Sequence, residues 1–238
     1  MFRSYDATWL EEQFGQVESV ALVGNGPSAG RSEFGRIIDA CDLVVRMNGY
    51  AVQGFEKHTG ERTDLFVSHL LHTYTAERLR SDGVRAVLVS RPAGPAFAHN
   101  AGLGVMLRNR PELGDLPTAW IPQQSFAQLY ARLDIPADDA SGRNPSSGLV
   151  AVQAMTSHQA VRRLVLVGFD CFPTHEPMHY FEDPVYDAAE VREVVAHSHR
   201  TDAERAALSS LLNEFAGDVD LPAELGRTIA PRGLRDVQ

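Results

Sequence analysis

Two short stretches of the chain concentrate side chains that can move a proton. HYFED, residues 179–183, places a histidine, two aromatics and two carboxylates in five residues, and HSH follows at 197–199. Histidine titrates near neutrality, so it can relay a proton, ligate a metal or meet a phosphate. Three further segments have the composition of ligand-binding turns. GNGPSAG (24–30) follows an apolar run and has the spacing GxGxxxG, which lets a phosphate approach the backbone. NPSSGLVAVQAM (144–155) reads as a helix start, with Ser146 or Ser147 as cap and first-turn amides facing an anion. HRTDAE (199–204) contains Thr201-x-x-Glu204, the pattern of a capping box. That box would hold His199 just ahead of a helix N-terminus, where the positive dipole end keeps an imidazole neutral.

These residues need a scaffold. The apolar runs at 19–24, 42–48, 64–69, 84–90, 118–123 and 162–170 are β-branched and nearly continuous, as in strands covered on both faces. Between them SEFGRIIDA, TYTAERLRSDG, QSFAQLYARL and SSGLVAVQAMTSHQ have helical spacing, and another helix is expected from Thr201. Strand–helix alternation predicts an α/β fold, Rossmann-like, with a mostly parallel sheet flanked by helices. The expectation is a single domain over 1–238, its motif-bearing core at about 19–216 and an irregular tail at 217–238. The turn-rich segments 132–148 and 171–188 are candidate active-site loops.

Composition narrows the partners. A net charge of -9 over 238 residues argues against nucleic acid as the main ligand. Two cysteines, Cys41 and Cys171, form no disulfide framework and fit a reducing compartment. The first residues lack the apolar core of a signal peptide, and no apolar stretch is long enough to span a bilayer. A cytoplasmic protein is therefore expected, with peripheral membrane contact left open. His175, His179, His197 and His199 lack the i, i+4 pairing of a helical zinc site. DVD at 218–220 matches a metal-binding DxD, but its place in the expected tail makes that an accidental match, so no metal and no cofactor are expected. The glycine-rich turn alone also suits a dinucleotide enzyme, but the next strand ends in Arg46 and Asn48 rather than an acid.

In order, the segments resemble the sialyltransferases of glycosyltransferase family 29. ALVGNGPSAG…GRIIDACDLVVRMNGYAVQGFEKHTGERTD (21–64) is similar to that family's long motif through its GN turn, I-D-x-x-D stretch, R-M-N ending and G-F-E. NPSSGLVAVQAM…LVLVGFD (144–170) is similar to the small motif, HYFE (179–182) to the third, and His199-x4-Glu204 to the very short one. The resemblance implies a fold of the GT-A-variant type and an inverting, metal-independent transfer of sialic acid from CMP-sialic acid to a glycan hydroxyl. It implies His199 as catalytic base and His179 at the phosphate. Asn25, Gly26, Asn48, Ser146, Ser147, Gly148, Tyr180 and Glu204 would line the donor site. The family's disulfide positions fall on Val20 and Gln159 here, and its membrane anchor has no counterpart, which points to a bacterial-type cytoplasmic relative. CMP-Kdo (Kdo is 3-deoxy-manno-octulosonic acid) is the alternative donor. More distant readings are an NAD(P)-dependent oxidoreductase and a non-catalytic nucleotide- or glycan-binding module.

Overall fold

The computed structural model describes residues 3–92, 102–136, 143–173, 177–182, 188–229 and 235–236. His175 and Asp183, and parts of both candidate loops, lie outside the described residues. In chain order the elements are β1 (Arg3–Ser4), α1 (Ala7–Phe14), β2 (Ser19–Val23), α2 (Gly35–Asp39), β3 (Leu43–Met47), α3 (Glu56–Thr59) and β4 (Leu65–Ser68). Then come α4 (Ala76–Ser81), β5 (Ala86–Val89), α5 (Gly102–Asn109), β6 (Thr118–Trp120), α6 (Gln123–Arg132), α7 (Ser147–Thr156) and β7 (Arg163–Val167). The chain continues through α8 (Ala188–Ser198), α9 (Thr201–Glu214), β8 (Asp218–Leu221), α10 (Ala223–Ile229) and β9 (Arg235–Asp236). All six predicted strands and all five predicted helices are present.

The strands form one parallel sheet in the order β1-β6-β5-β4-β3-β2-β7-β8-β9. Its α/β, Rossmann-like architecture is the one expected. Alternate strand residues enter different cores: Val20, Leu22, Val45 and Leu166 pack with α7 and α9 on one face, whereas Ala21, Val23, Val44 and Val167 pack with Ile38 on the other. Both faces being covered explains why the strands read as unbroken apolar runs. Each fully buried Val or Leu contributes about 1.5–3 kcal/mol. Helix α7 is buried nearly all round, through Leu149, Val150, Ala151, Val152, Ala154 and Met155, so its axis is fixed and its N-terminus is held in one place.

The expected irregular tail is corrected. Residues 218–221 add strand β8 to β7, and α10 docks through Leu225 and Ile229. Asp220 is buried and ion-paired with Arg163 at 2.7 Å. The DVD sequence is therefore a strand, with Asp218 at the end remote from the strand C-termini. Among the described residues no helix is long and apolar enough to cross a membrane.

Strand order reverses at β2: β3, β4, β5, β6 and β1 lie to one side, and β7, β8 and β9 to the other. In open α/β sheets a crevice forms at the strand C-termini where the order reverses. Here that point is built by two glycines in close contact. A Cβ on Gly24 would overlap the Gly168 carbonyl oxygen, and one on Gly168 would overlap the Gly24 carbonyl. Gly168 also has φ +71°, a left-handed conformation that side chains other than glycine's disfavour.

Candidate active site

A cavity of about 600 Å³ opens over this point. Nine of the ten predicted site residues line it: Asn25, Gly26, Asn48, Ser146, Ser147, Gly148, His179, His199 and Glu204. They come from the ends of β2 and β3, the start of α7, the segment after β7, and the α8–α9 junction.

Asn25 follows the first glycine. Its Nδ2 donates to the carbonyls of Met47 (2.9 Å) and Gly49 (2.7 Å), tying the β2 turn to the β3 turn. That fixes the amide orientation and leaves Oδ1 buried with no hydrogen-bond partner among the described residues. An orphaned acceptor at a cavity wall is a place where a ligand donor can bind. Asn48 takes φ +52°, and its Oδ1 accepts from the His69 amide at 3.3 Å. Arg46, by contrast, is fully buried and donates to the carbonyls of Thr59, Gly60 and Arg62, so it braces the α3 region rather than facing the cavity.

Ser146 is the cap of α7, settling the choice between the two serines: its Oγ accepts from the Leu149 amide at 3.1 Å. Ser147 pairs its hydroxyl with that of Ser90 at 2.9 Å. Ser147 and Gly148, in the first turn, line the cavity at the positive end of the helix dipole.

Glu204 corrects the capping-box expectation. The N-cap of α9 is Arg200, with no side-chain cap bond. Glu204 instead reaches across to Ser146, accepting from its amide and its hydroxyl, both at 2.9 Å. A buried carboxylate needs donors, and Ser146, the cap residue of α7, supplies two. Burial pushes the Glu204 pKa up to about 7 against those bonds. Raised in the folded state, it favours the fold below about pH 4.3, and that contribution is lost as pH rises through 7.

His199 lies between α8 and α9, half-buried, its ring stacked on Phe172 at 5.2 Å and 11°. Nδ1 is 2.6 Å from the Asn144 carbonyl. A carbonyl only accepts, so Nδ1 carries the proton and Nε2 presents a lone pair. Among the described residues Nε2 has no hydrogen-bond partner. Burial pushes the pKa down to about 4, opposed by the Asn144 bond and helped by the charge of Arg91. The neutral ring expected of this residue is therefore found, but burial is the leading cause. Because this pKa is depressed, the stabilising contribution is present above about pH 6.5 and is lost as pH falls through 4. A ring-proton NMR titration is expected to give a midpoint near 4 for His199; a midpoint at the ordinary 6.5 would contradict the buried arrangement.

His179 faces the cavity and stacks on Phe181 at 5.1 Å. Tyr180 is the exception among the ten. It points away from the cavity, its hydroxyl donating to the Ala51 carbonyl and its amide to the Asn25 carbonyl at 3.0 Å. Its ring meets Phe55 edge-on at 4.9 Å. Tyr180 pins the segment that carries His179 against the glycine turn.

Four participants escaped the sequence reading. Asn144 acts through its main-chain carbonyl, which no residue pattern reveals. Phe172 follows Cys171, both with positive φ, and carries the His199 ring. Arg91 is buried, donating to the Ser90 and Pro145 carbonyls. His69, at the end of β4, lines the cavity; a histidine directly after an apolar strand was the available signal. His197 is exposed, bonded to the Glu193 carbonyl of its own helix, and does not line the cavity. Cys41 and Cys171 are free thiols. Among the described residues no three His, Cys, Asp or Glu side chains are grouped to hold a metal.

Residues 4–91 match the model of glycosyltransferase family 29 (sialyltransferase). The matched residues contain the long motif (21–64) and agree with that part of the resemblance; the other three motifs lie beyond them. Mouse alpha-N-acetylgalactosaminide alpha-2,6-sialyltransferase 2 is 28% identical over 124 residues, which cover 48% of this chain and 33% of the mouse protein. Human CMP-N-acetylneuraminate-beta-1,4-galactoside alpha-2,3-sialyltransferase is 42% identical over 48 residues, covering 20% of this chain and 13% of the relative. The chain thus matches about a third of the length of the first of these relatives. Among solved structures, a mammalian sialyltransferase in complex with Gal-beta-1-3GalNAc-ortho-nitrophenol superposes with a TM-score of 0.50 at 20% identity. It covers 85% of this chain and 70% of the solved one, which shows a shared fold.

Proposed function

We propose that the protein is an inverting, metal-independent sialyltransferase that moves sialic acid from CMP-sialic acid to a glycan hydroxyl. The observation that carries this reading is the His199 tautomer. A base for the acceptor hydroxyl must hold an open lone pair at neutral pH, and Nε2 does so because Nδ1 is committed to the Asn144 carbonyl.

The reaction transfers the anomeric carbon of the sugar from the CMP phosphate to the acceptor oxygen. The bond to the phosphate oxygen breaks, its electrons leave with CMP, and the acceptor proton goes to His199 Nε2. The leaving CMP carries less charge than a nucleoside diphosphate. In this reading that charge is met by His179 and the first-turn amides of α7, without a cation. Asn25 and Asn48 would hold the nucleotide, Asn25 Oδ1 supplying an acceptor for a hydroxyl or amino donor. Glu204 keeps Ser146, and with it the start of α7, in place. The short 3₁₀ turn Pro27–Arg31 after the glycines is unlike the long helix that receives a dinucleotide pyrophosphate, which disfavours the oxidoreductase reading.

Incubation with CMP-sialic acid and, separately, CMP-Kdo, each with a mixed glycan acceptor, is the direct test. CMP release from the first donor, unchanged in EDTA, is expected. Release from CMP-Kdo alone would replace the donor assignment, loss in EDTA restored by manganese would overturn metal independence, and CMP binding without turnover would indicate a binding module.

A further inference from the structure

His69 has the complementary tautomer to His199. Its Nδ1 accepts from the Leu71 amide at 3.0 Å, so that nitrogen carries no proton and Nε2 must carry one. Nε2–H has no hydrogen-bond partner among the described residues, and the half-buried ring lines the cavity. The turn that holds it is braced on both sides. The His69 amide donates to Asn48 Oδ1, Leu70 takes φ +53° with its amide on Ser68 Oγ (3.0 Å), and Asn109 Nδ2 donates to the Leu70 carbonyl (2.9 Å). The cavity therefore presents one fixed imidazole acceptor and one fixed imidazole donor.

The electrostatics say what the donor is suited to. Burial pushes the His69 pKa down to about 3, and the permanent charge that acts on the ring is Arg91, which lowers it further. Arg91 is itself buried, its guanidinium turned to two carbonyls. An atom that accepts from Nε2–H thus lies in the cavity on the side where the Arg91 charge acts. An anionic oxygen gains more there than a neutral hydroxyl.

We propose that His69 is a donor-specificity residue whose Nε2–H binds the carboxylate that distinguishes a keto-acid sugar from an ordinary hexose. The assignment rests on the CMP-sugar reading above and adds a recognition role for a residue outside the four motifs. A neutral ring with its proton on a set nitrogen recognises the carboxylate without forming an ion pair close to the anomeric carbon, where positive charge develops during transfer.

Two variants separate recognition from packing. His69→Asn places an oxygen near the Nδ1 position, keeping the acceptor for the Leu71 amide and removing the outer N–H. His69→Gln places an amide nitrogen near Nε2 and restores the donor. Calorimetric titration of CMP and of CMP-sialic acid into native protein and both variants is expected to show His69→Asn losing about tenfold or more in CMP-sialic acid affinity with CMP affinity unchanged. His69→Gln is expected to recover most of that loss. Equal losses for both ligands, no loss for either, or a change confined to the KM of the acceptor would overturn the assignment while leaving the CMP-sugar reading intact. Failure of the native protein to bind CMP at all would overturn both.

Discussion

His199→Ala is expected to lower kcat by about 100-fold or more while CMP binds as it does to the native protein. The asymmetry follows from the ring's position. Its polar bond within the protein runs from Nδ1 to the Asn144 carbonyl, and its remaining nitrogen faces the cavity as a base. In the proposed mechanism, removing it deprives the acceptor hydroxyl of its proton acceptor, which acts in the transition state and not in nucleotide binding. His179→Ala should behave differently, weakening turnover and donor affinity together, because in the proposed reading it meets the phosphate. His197→Ala serves as the neighbouring control: that side chain is exposed and bonded within its own helix. If His197→Ala abolished transfer and a folded His199→Ala remained active, the base would be misassigned.

Gly168→Ala is expected to cost about 3 kcal/mol or more in stability, a fall in melting temperature of roughly 6–12 °C for a chain of this size. Two effects combine. The residue has φ +71°, and the added Cβ would overlap the Gly24 carbonyl and lie 3.0 Å from the Ala29 Cβ. Neither contact can relax as the end of a flexible side chain would, since one is backbone at the residue that follows β2 and the other is a Cβ. Gly54→Ala isolates the first effect: Gly54 has φ +86° with nothing within 4 Å of the added carbon. That variant is expected to cost only about 1–2 kcal/mol. Thermal or urea unfolding of the pair checks the difference, and equal losses would mean that the close approach of the two strands carries no energetic weight.

The sheet was legible because it is covered on both faces, so Val20–Val23 and Leu164–Val167 are apolar at every position. The terminal elements were not. Strand β8 reads DVDL, and its two acids disguise it; Asp220 is tolerated in a buried position because Arg163 on the neighbouring strand neutralises it. The capping-box pattern at Thr201–Glu204 misled for a related reason. A local rule compares Glu204 with amides three residues away, whereas the folded chain offers it two donors at Ser146, far off in sequence. Motif residues placed by main-chain turns, such as Asn25 and Ser146, were found. Groups that act through a carbonyl or from behind the wall, Asn144 and Arg91, have no local signature. Tyr180 shows the reverse: it belongs to the HYFE motif, yet its contacts are with Ala51, Asn25 and Phe55 rather than with the cavity.

The order of strands in the sheet also has a kinetic consequence. Strand β2, where the order reverses, pairs on one edge with β3, which follows it directly, and on the other with β7, which lies beyond α7. Likewise β1 waits for β6. Parallel pairings between distant segments must close long loops before any contact rewards them, so folding is slow relative to a helical protein of equal length. During synthesis, β2 has one unpaired, apolar edge until Val167 has emerged, and that edge is a template for association between nascent chains. The crevice that holds the proposed chemistry is thus completed late, from segments on both sides of that closure. No amino-terminal fragment ending before β7 can contain it.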